Sequence, residues 1–317
     1  MGNWMYTRGL HDLGNSVYAY LQPNGSWGWS NSGIIVDGDV SMLVDTLYDL
    51  KLTGEMLETM RRSLPAAAQI DTLVNTHANG DHCYGNQLVG DARIIASART
   101  AEEMLEVSPA SMAMLKSQAA QLGNLGAFFA RIFAPFDFEG ITLTPPTQTF
   151  ERELQLRVGC KEVRLLEVGP AHTRGDTLVY VPGDRTIFTG DILFSEGHPV
   201  MWAGPVGNWI RACDTILGLD VETIVPGHGP ITDKQGVMRL KNYWEYLLRE
   251  VRQRYEAGLS VQEIARDIRL DEYATWNDAE RLVVNVDSIY RELSGEMEHP
   301  GTIGLFALMA EYAQPED

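Results

Sequence analysis

Apolar positions along the first hundred residues alternate between short β-rich runs and helical spacings. The runs 16–21, 33–37 and 40–45 predict strands, and Asp37-Gly38 between the last two is a hairpin turn pair. A helical spacing over 53–64 stops at Pro65, and the apolar run 70–76 predicts a buried strand ending at His77. A helix over 82–89, a strand over 92–96 and a helix from Thr100 follow. Residues 104–140 then break the rhythm, with Met112, Met114, Phe128, Phe129, Phe133 and Phe136 on spacings that suit two amphipathic helices joined near Gly123-Asn124. Such helices pack on the core or form a lid or dimer surface, since Met and Phe favour adaptable contacts. Strands return over 154–158, 163–168, 177–181 and 186–189, before a helix over 206–217 and a strand over 223–225.

After Pro230 the pattern is helical only. Asp233 caps a long helix whose apolar residues, among them Val237, Leu240, Trp244, Leu247 and Val251, recur at helical spacing as far as Gly258. Ser260-x-x-Glu263 reads as a capping box, and a last long helix is expected over 277–293. The expected organisation is an α/β domain over 1–232, carrying a helical insertion at about 104–140, and a C-terminal helical extension over 233–317. No repeat and no low-complexity tract interrupts it.

Composition narrows the functional classes. At 317 residues the chain is about twice the ~150-residue norm for one domain, and 44% hydrophobic with 21% charged residues is ordinary globular usage. Its 25 Lys and Arg against 43 Asp and Glu leave a net charge of -18, which repels phosphate backbones and anionic lipid heads. No nucleic-acid and no membrane partner is therefore expected. Cys83, Cys160 and Cys213 form no C-x-x-C pair and are too few for a disulfide framework. The first residues lack a basic, then apolar, leader pattern, and nowhere do about 18 apolar residues run together, so the expected location is cytoplasmic.

The strongest chemical signal is His77-Ala78-Asn79-Gly80-Asp81-His82, directly after a buried strand, where α/β sheets keep their sites. His172, Asp191 and His228 fall in Gly-rich turns after other β-like runs. A lone loop histidine signals little. Four of the seven histidines with two carboxylates, all in such turns, supply the N/O ligand set of a divalent transition metal.

The order H-x-x-x-D-H, His, Asp and G-H-G resembles the metallo-β-lactamase fold superfamily over roughly residues 16–232. The resemblance implies an αββα sandwich with a metal centre at one edge between two sheets. It also implies that His77 and His172 are ligands of a first metal site, that Asp81, His82 and His228 are ligands of a second, and that Asp191 bridges them. Asp45, in Val44-Asp45-Thr46, matches the acid that supports the site from behind. The departure is Asn79, where the family pattern H-x-H-x-D-H has its second histidine. A carboxamide is a weaker ligand than imidazole, so one tightly bound Zn2+ is expected at the second site, with Mn or Fe as alternatives, and a weakened first site.

These residues predict a metallo-hydrolase of a small, largely apolar molecule (an aromatic compound, ester, lactone or thioester) that uses metal-activated water. Asp81 would orient that water, with His77, Asn79 and His172 polarising the attacked oxygen. Trp202, His198, Phe128 and Phe129 are the expected substrate-pocket residues, and the motif loops offer Arg174 as their one cation. A metal-dependent lyase or cyclase is the enzymatic alternative, and a ligand-binding protein on the same scaffold the non-enzymatic one. The possible partners are the small-molecule substrate and a second copy of the chain. Cys83 is expected to pack in the core, and His11 and His299, outside every motif, to sit at the surface.

Overall fold

The computed structural model describes residues 4–296 and 300–313; His299 lies outside them. One sheet runs in spatial order through β1 (Gly9–Asp12), β2 (Val17–Leu21), β3 (Ser32–Asp37), β4 (Val40–Val44), β5 (Thr72–Val74), β6 (Arg93–Ser97) and β7 (Gln148–Phe150). Pairing is antiparallel as far as β4 and parallel beyond it. The second sheet holds β8 (Glu153–Val158), β9 (Lys161–Glu167), β10 (Thr177–Val181), β11 (Thr186–Phe188) and β12 (Thr223–Val225), with only β11 and β12 parallel. The edge strands β1 and β7, too short and polar to stand out in the sequence, add to the expected set.

The two-residue period of the strands sorts their side chains into two cores. Val17, Ala19, Leu21, Ile35 and Met42 from the first sheet meet Leu156, Val163, Leu165, Val179 and Val181 from the second. The alternate residues, such as Tyr20, Ile34, Leu43, Leu178 and Ile187, face outward into the cores made with the helices. Both faces are thus covered, which is why β10 is buried at every position and reads as an unbroken apolar run. The result is the αββα sandwich that the motif order implies.

Helices differ from expectation where a side chain or loop takes a backbone bond. Asp49, whose Oδ1 accepts from Leu52 N at 2.7 Å, caps α1 (Leu50–Ser63) three residues before the expected start. The helix expected over 82–89 divides into a single turn, α2 (Gly80–Cys83), and a 3-10 turn over 86–89. There Gly85 N donates to Leu47 O, and the Asp81 carbonyl that would have continued the helix accepts from Ser30 Oγ. A Cβ at Gly85 would collide with Thr53, so the close approach of this loop to α1 needs glycine.

The Met/Phe segment forms α4 (Pro109–Gln118) and α5 (Gly123–Phe133), after α3 (Ala98–Glu103). α6 (Val206–Gly218) and α7 (Lys234–Glu256) then pack together, and Asp233 caps α7 as its sequence predicts. Both halves of the Ser260/Glu263 capping box are present at α8 (Val261–Asp267). α9 (Leu282–Ser294) starts later than expected, because Asp278 adopts a left-handed conformation and a 3-10 turn follows it. The helix at 277–293 is not the last. α10 (Gly301–Tyr312) returns across the molecule to pack on α5, bringing Phe306 to within 5.5–6.1 Å of the rings of Trp27, Phe129, Phe133 and Trp202.

Candidate metal centre

Chain direction gathers the motif residues. β4, β5 and β6 run parallel, as do β11 and β12, so the loops leaving β4, β5, β11 and β12 open at one edge of the sandwich. Asp45 follows β4, His77 follows β5, Asp81 and His82 lie in α2, Asp191 follows β11 and His228 follows β12. His172 arrives from the loop between β9 and β10. β5 stops at Val74 rather than Thr76 because Thr76 N leaves the ladder to donate to Asp45 Oδ1 at 2.7 Å.

Asp191 sits at the middle. Its Oδ2 is 3.8 Å from His77 Nε2, 3.3 Å from His172 Nε2 and 3.4 Å from His228 Nε2, while its Oδ1 is 3.2 Å from His82 Nε2. Asp81 Oδ2 lies 3.2 Å from His228 Nε2 and 3.9 Å from His82 Nε2. The ligand atoms form two groups, His77–His172–Asp191 and Asp81–His82–His228, each spanning less than 4.8 Å. A Cβ at Gly227 would collide with Asp191 Oδ1, which explains the glycine before His228.

Each imidazole is fixed from behind. His82 Nδ1 donates to Asp45 Oδ2 at 2.9 Å, His172 Nδ1 to Val200 O at 2.7 Å and His228 Nδ1 to Gly25 O at 3.1 Å. Thr76 Oγ1 donates to Asp45 Oδ2 at 2.7 Å and so accepts from His77 Nδ1 at 3.0 Å. With Nδ1 held in this way, all four rings turn Nε2 toward the Asp191 carboxylate. Asn75 and Asn86, which the sequence reading did not single out as a pair, bind each other beneath the loop, and Asn75 Nδ2 donates to the His82 carbonyl at 2.8 Å.

Electrostatics follow from this crowding. Burial lowers His77 well below the usual imidazole range and His172 to about 4. Burial also opposes charge on His228, yet Asp191 and Asp81 outweigh it and raise that ring to about 9; Asp191, Asp81 and Asp45 likewise raise His82. Asp191 is held well below the carboxylate range by the four surrounding imidazoles, against the effect of burial. His77 Nε2, His82 Nε2 and Asp191 Oδ1 are buried without any hydrogen-bond partner. Orphaned buried acceptors on an N/O donor set are what a divalent transition metal satisfies, so these residues fit such an ion.

Asn79 forms no capping bond at α2, and its Oδ1 lies 2.6 Å from His172 Nε2. Cys83 is buried in the core as expected, with its Sγ on Ala78 O, and burial raises its thiol. His11 is partly buried, its Nε2 2.7 Å from Thr7 O.

A cleft of about 120 Å³ opens over the cluster, lined by Asn79, Asp81, His172, Asp191 and His228 at its floor. Trp202 walls it as expected, with Trp27, Met112, Phe133 and Phe306. His198 does not: it is fully buried against Tyr243 and Trp276, and only its carbonyl reaches toward the site, accepting from Arg281. Phe128 does not line the cleft: its ring lies 6.4 Å from that of Phe306 and carries Arg131, and Phe129 lies behind Phe133 and Phe306. Phe136 packs beneath Tyr48 and Trp29. The cation in the lining is Arg281, not Arg174, whose guanidinium is taken by Glu103 and Glu106. Arg281 stacks 4.1 Å over Trp27 and pairs with Asp278 at 3.1 Å. No loop motif marks it, because it arrives from the turn before α9.

Comparison with known proteins agrees with this geometry. The model of the metallo-beta-lactamase superfamily matches residues 25–228. The 2,4-dinitroanisole O-demethylase subunit alpha of Nocardioides sp. (strain JS1661) is 25% identical over 208 residues, covering 62% of this chain and 51% of that protein. Among solved structures, a double mutant of the sec-alkyl sulfatase PisA1 superposes with a TM-score of 0.70 at 16% identity, covering 93% of this chain and 51% of that one. A metallo-beta-lactamase from Pontibacter korlensis gives 0.56 at 16% identity over 75% of this chain and 99% of its own. At these identities the structures share the fold. The chain spans about half the length of the curated relatives it matches.

Proposed function

The chain belongs to the metallo-β-lactamase superfamily, and from that premise we propose that it is a metal-dependent hydrolase of a small, largely apolar organic molecule. The observation that carries this reading is the convergence of four imidazole Nε2 atoms on Asp191 at the floor of an aromatic-walled cleft. Asp81, His82 and His228, with a share of Asp191, would hold the tighter ion; His77 and His172 would hold a weaker one. When bound, such an ion lowers the pKa of water toward ~7 and polarises the oxygen of the attacked group.

The protein's own groups do the rest. Asp81 is the most open of the ligands, its side chain 12% exposed at the cleft floor, and accepts the proton of an attacking water. Asn79, beside His172, donates its carboxamide N–H to the developing oxyanion. Trp27, Trp202, Phe133 and Phe306 exclude solvent and bury the apolar body. Arg281 is already balanced by Asp278, so the lining favours a neutral substrate over a compact anion.

The test is a screen of ester, lactone, thioester and activated aromatic substrates on the metal-loaded protein, run in 18O-water. Hydrolysis places one solvent oxygen in the product. Turnover without that label would replace this reading with a lyase or cyclase, and binding without turnover would leave a ligand-binding protein.

A further inference from the structure

Beside the metal cleft lies a second and larger cavity, of about 460 Å³, between α4, α5 and α10. Leu115, Leu122, Leu125, Phe129 and Ile303 give it an apolar lining. Its polar side chains are Ser111, engaged with Ser108, Glu106, engaged with Arg174, and Thr302. The two cavities share Met112, Val107 and Phe306 as walls, so one layer of side chains separates them. Met112 in that layer is unbranched and moves at little cost. Around the mouth, Val107, Leu122 and Ile303 are 37%, 37% and 58% exposed, an apolar surface that a soluble protein seldom keeps without a use.

The two spaces adjoin, the one over the metal cluster reaching the ligands and the one beside it lined mainly by hydrocarbon. We propose that the cavity between α4, α5 and α10 is a subsite for an uncharged hydrocarbon chain of the substrate, whose reacting end occupies the metal cleft. This inference rests on the metallo-hydrolase reading for the chain's identity as substrate. With Glu106 paired to Arg174, the lining offers a substrate chain little but hydrocarbon contact along its length.

The probe is a series of 1-alkanols from butanol to decanol, titrated into the metal-loaded protein and followed by the fluorescence of Trp27 and Trp202, which flank Phe306. Affinity is expected to rise about fourfold per added methylene, as burial of a CH2 group requires. Ile303→Asp, at an exposed position, and Ser111→Phe, which fills the space, should each flatten the series while metal content and thermal midpoint stay unchanged. A series flat in the native protein, or one indifferent to both substitutions, overturns the proposal. So does a flat series with Ile303→Asp converting a dimer to a monomer, which would make this face a contact between copies. Alkanol binding needs no turnover: absent 18O incorporation with a steep series removes the hydrolase reading alone, and hydrolysis with a flat series removes the subsite alone.

Discussion

At the scale of single residues, the site is defined as much by what holds the ligands as by the ligands. Asp45 accepts from Thr76 N, Thr76 Oγ1 and His82 Nδ1, and through Thr76 it also sets the His77 ring. Asp45→Asn keeps the shape but removes the charge, and metal affinity measured by competition with a chelating dye should fall 10–100-fold. An unchanged affinity would reduce Asp45 to loop packing. Asp176 behaves differently, being buried with Thr173 N and Oγ1 donating to its carboxylate, and desolvation raises its carboxyl to about 8. Because its folded-state pKa lies above its unfolded value, it favours the fold at low pH, and that stability is lost as pH rises toward 8. Asp176→Asn should therefore raise the thermal midpoint relative to wild type at pH 8 and progressively less toward pH 4. A difference that does not vary with pH would show that the hydrogen bonds to Thr173, not the carboxyl proton, decide its effect.

At the scale of elements, the roof of the cleft is assembled from parts far apart in sequence. Trp27 precedes β3, Met112 lies in α4, Phe133 ends α5, Trp202 lies before α6 and Phe306 belongs to α10. Trp202→Ala should raise KM more than it lowers kcat, as expected for contacts made equally in ground and transition states. Steady-state kinetics on a substrate found in the screen would show this, and a silent substitution would place the aromatic cluster outside the substrate's path. The motif loops were legible because strand ends and Gly-rich turns have local signatures: His77, Asp81, His82, His172, Asp191 and His228 meet where their order implies. Phe306 and Arg281 were not, since nothing local says that α10 and the turn before α9 fold back over the sandwich. His198 misled for the converse reason. It stands close in sequence to Trp202, but the chain turns between them and buries it against α7.

At the scale of the whole molecule, a net charge of -18 accompanies a cluster of buried imidazoles and carboxylates, and a field of that sign favours the approach of divalent cations. In the proposed reading Asp81, His82 and His228 share Asp191 and hold the tighter ion, whereas His77 and His172 have beside them a carboxamide, Asn79, whose Oδ1 lies against His172 Nε2. The difference between the two groups is the central claim, and counting metal ions measures it most directly. Elemental analysis of the chain, after dialysis against metal-free buffer, should find one tightly held ion per molecule, rising toward two in Asn79→His and lost in Asp191→Ala. Two tightly held ions in the native chain, or none, would contradict it.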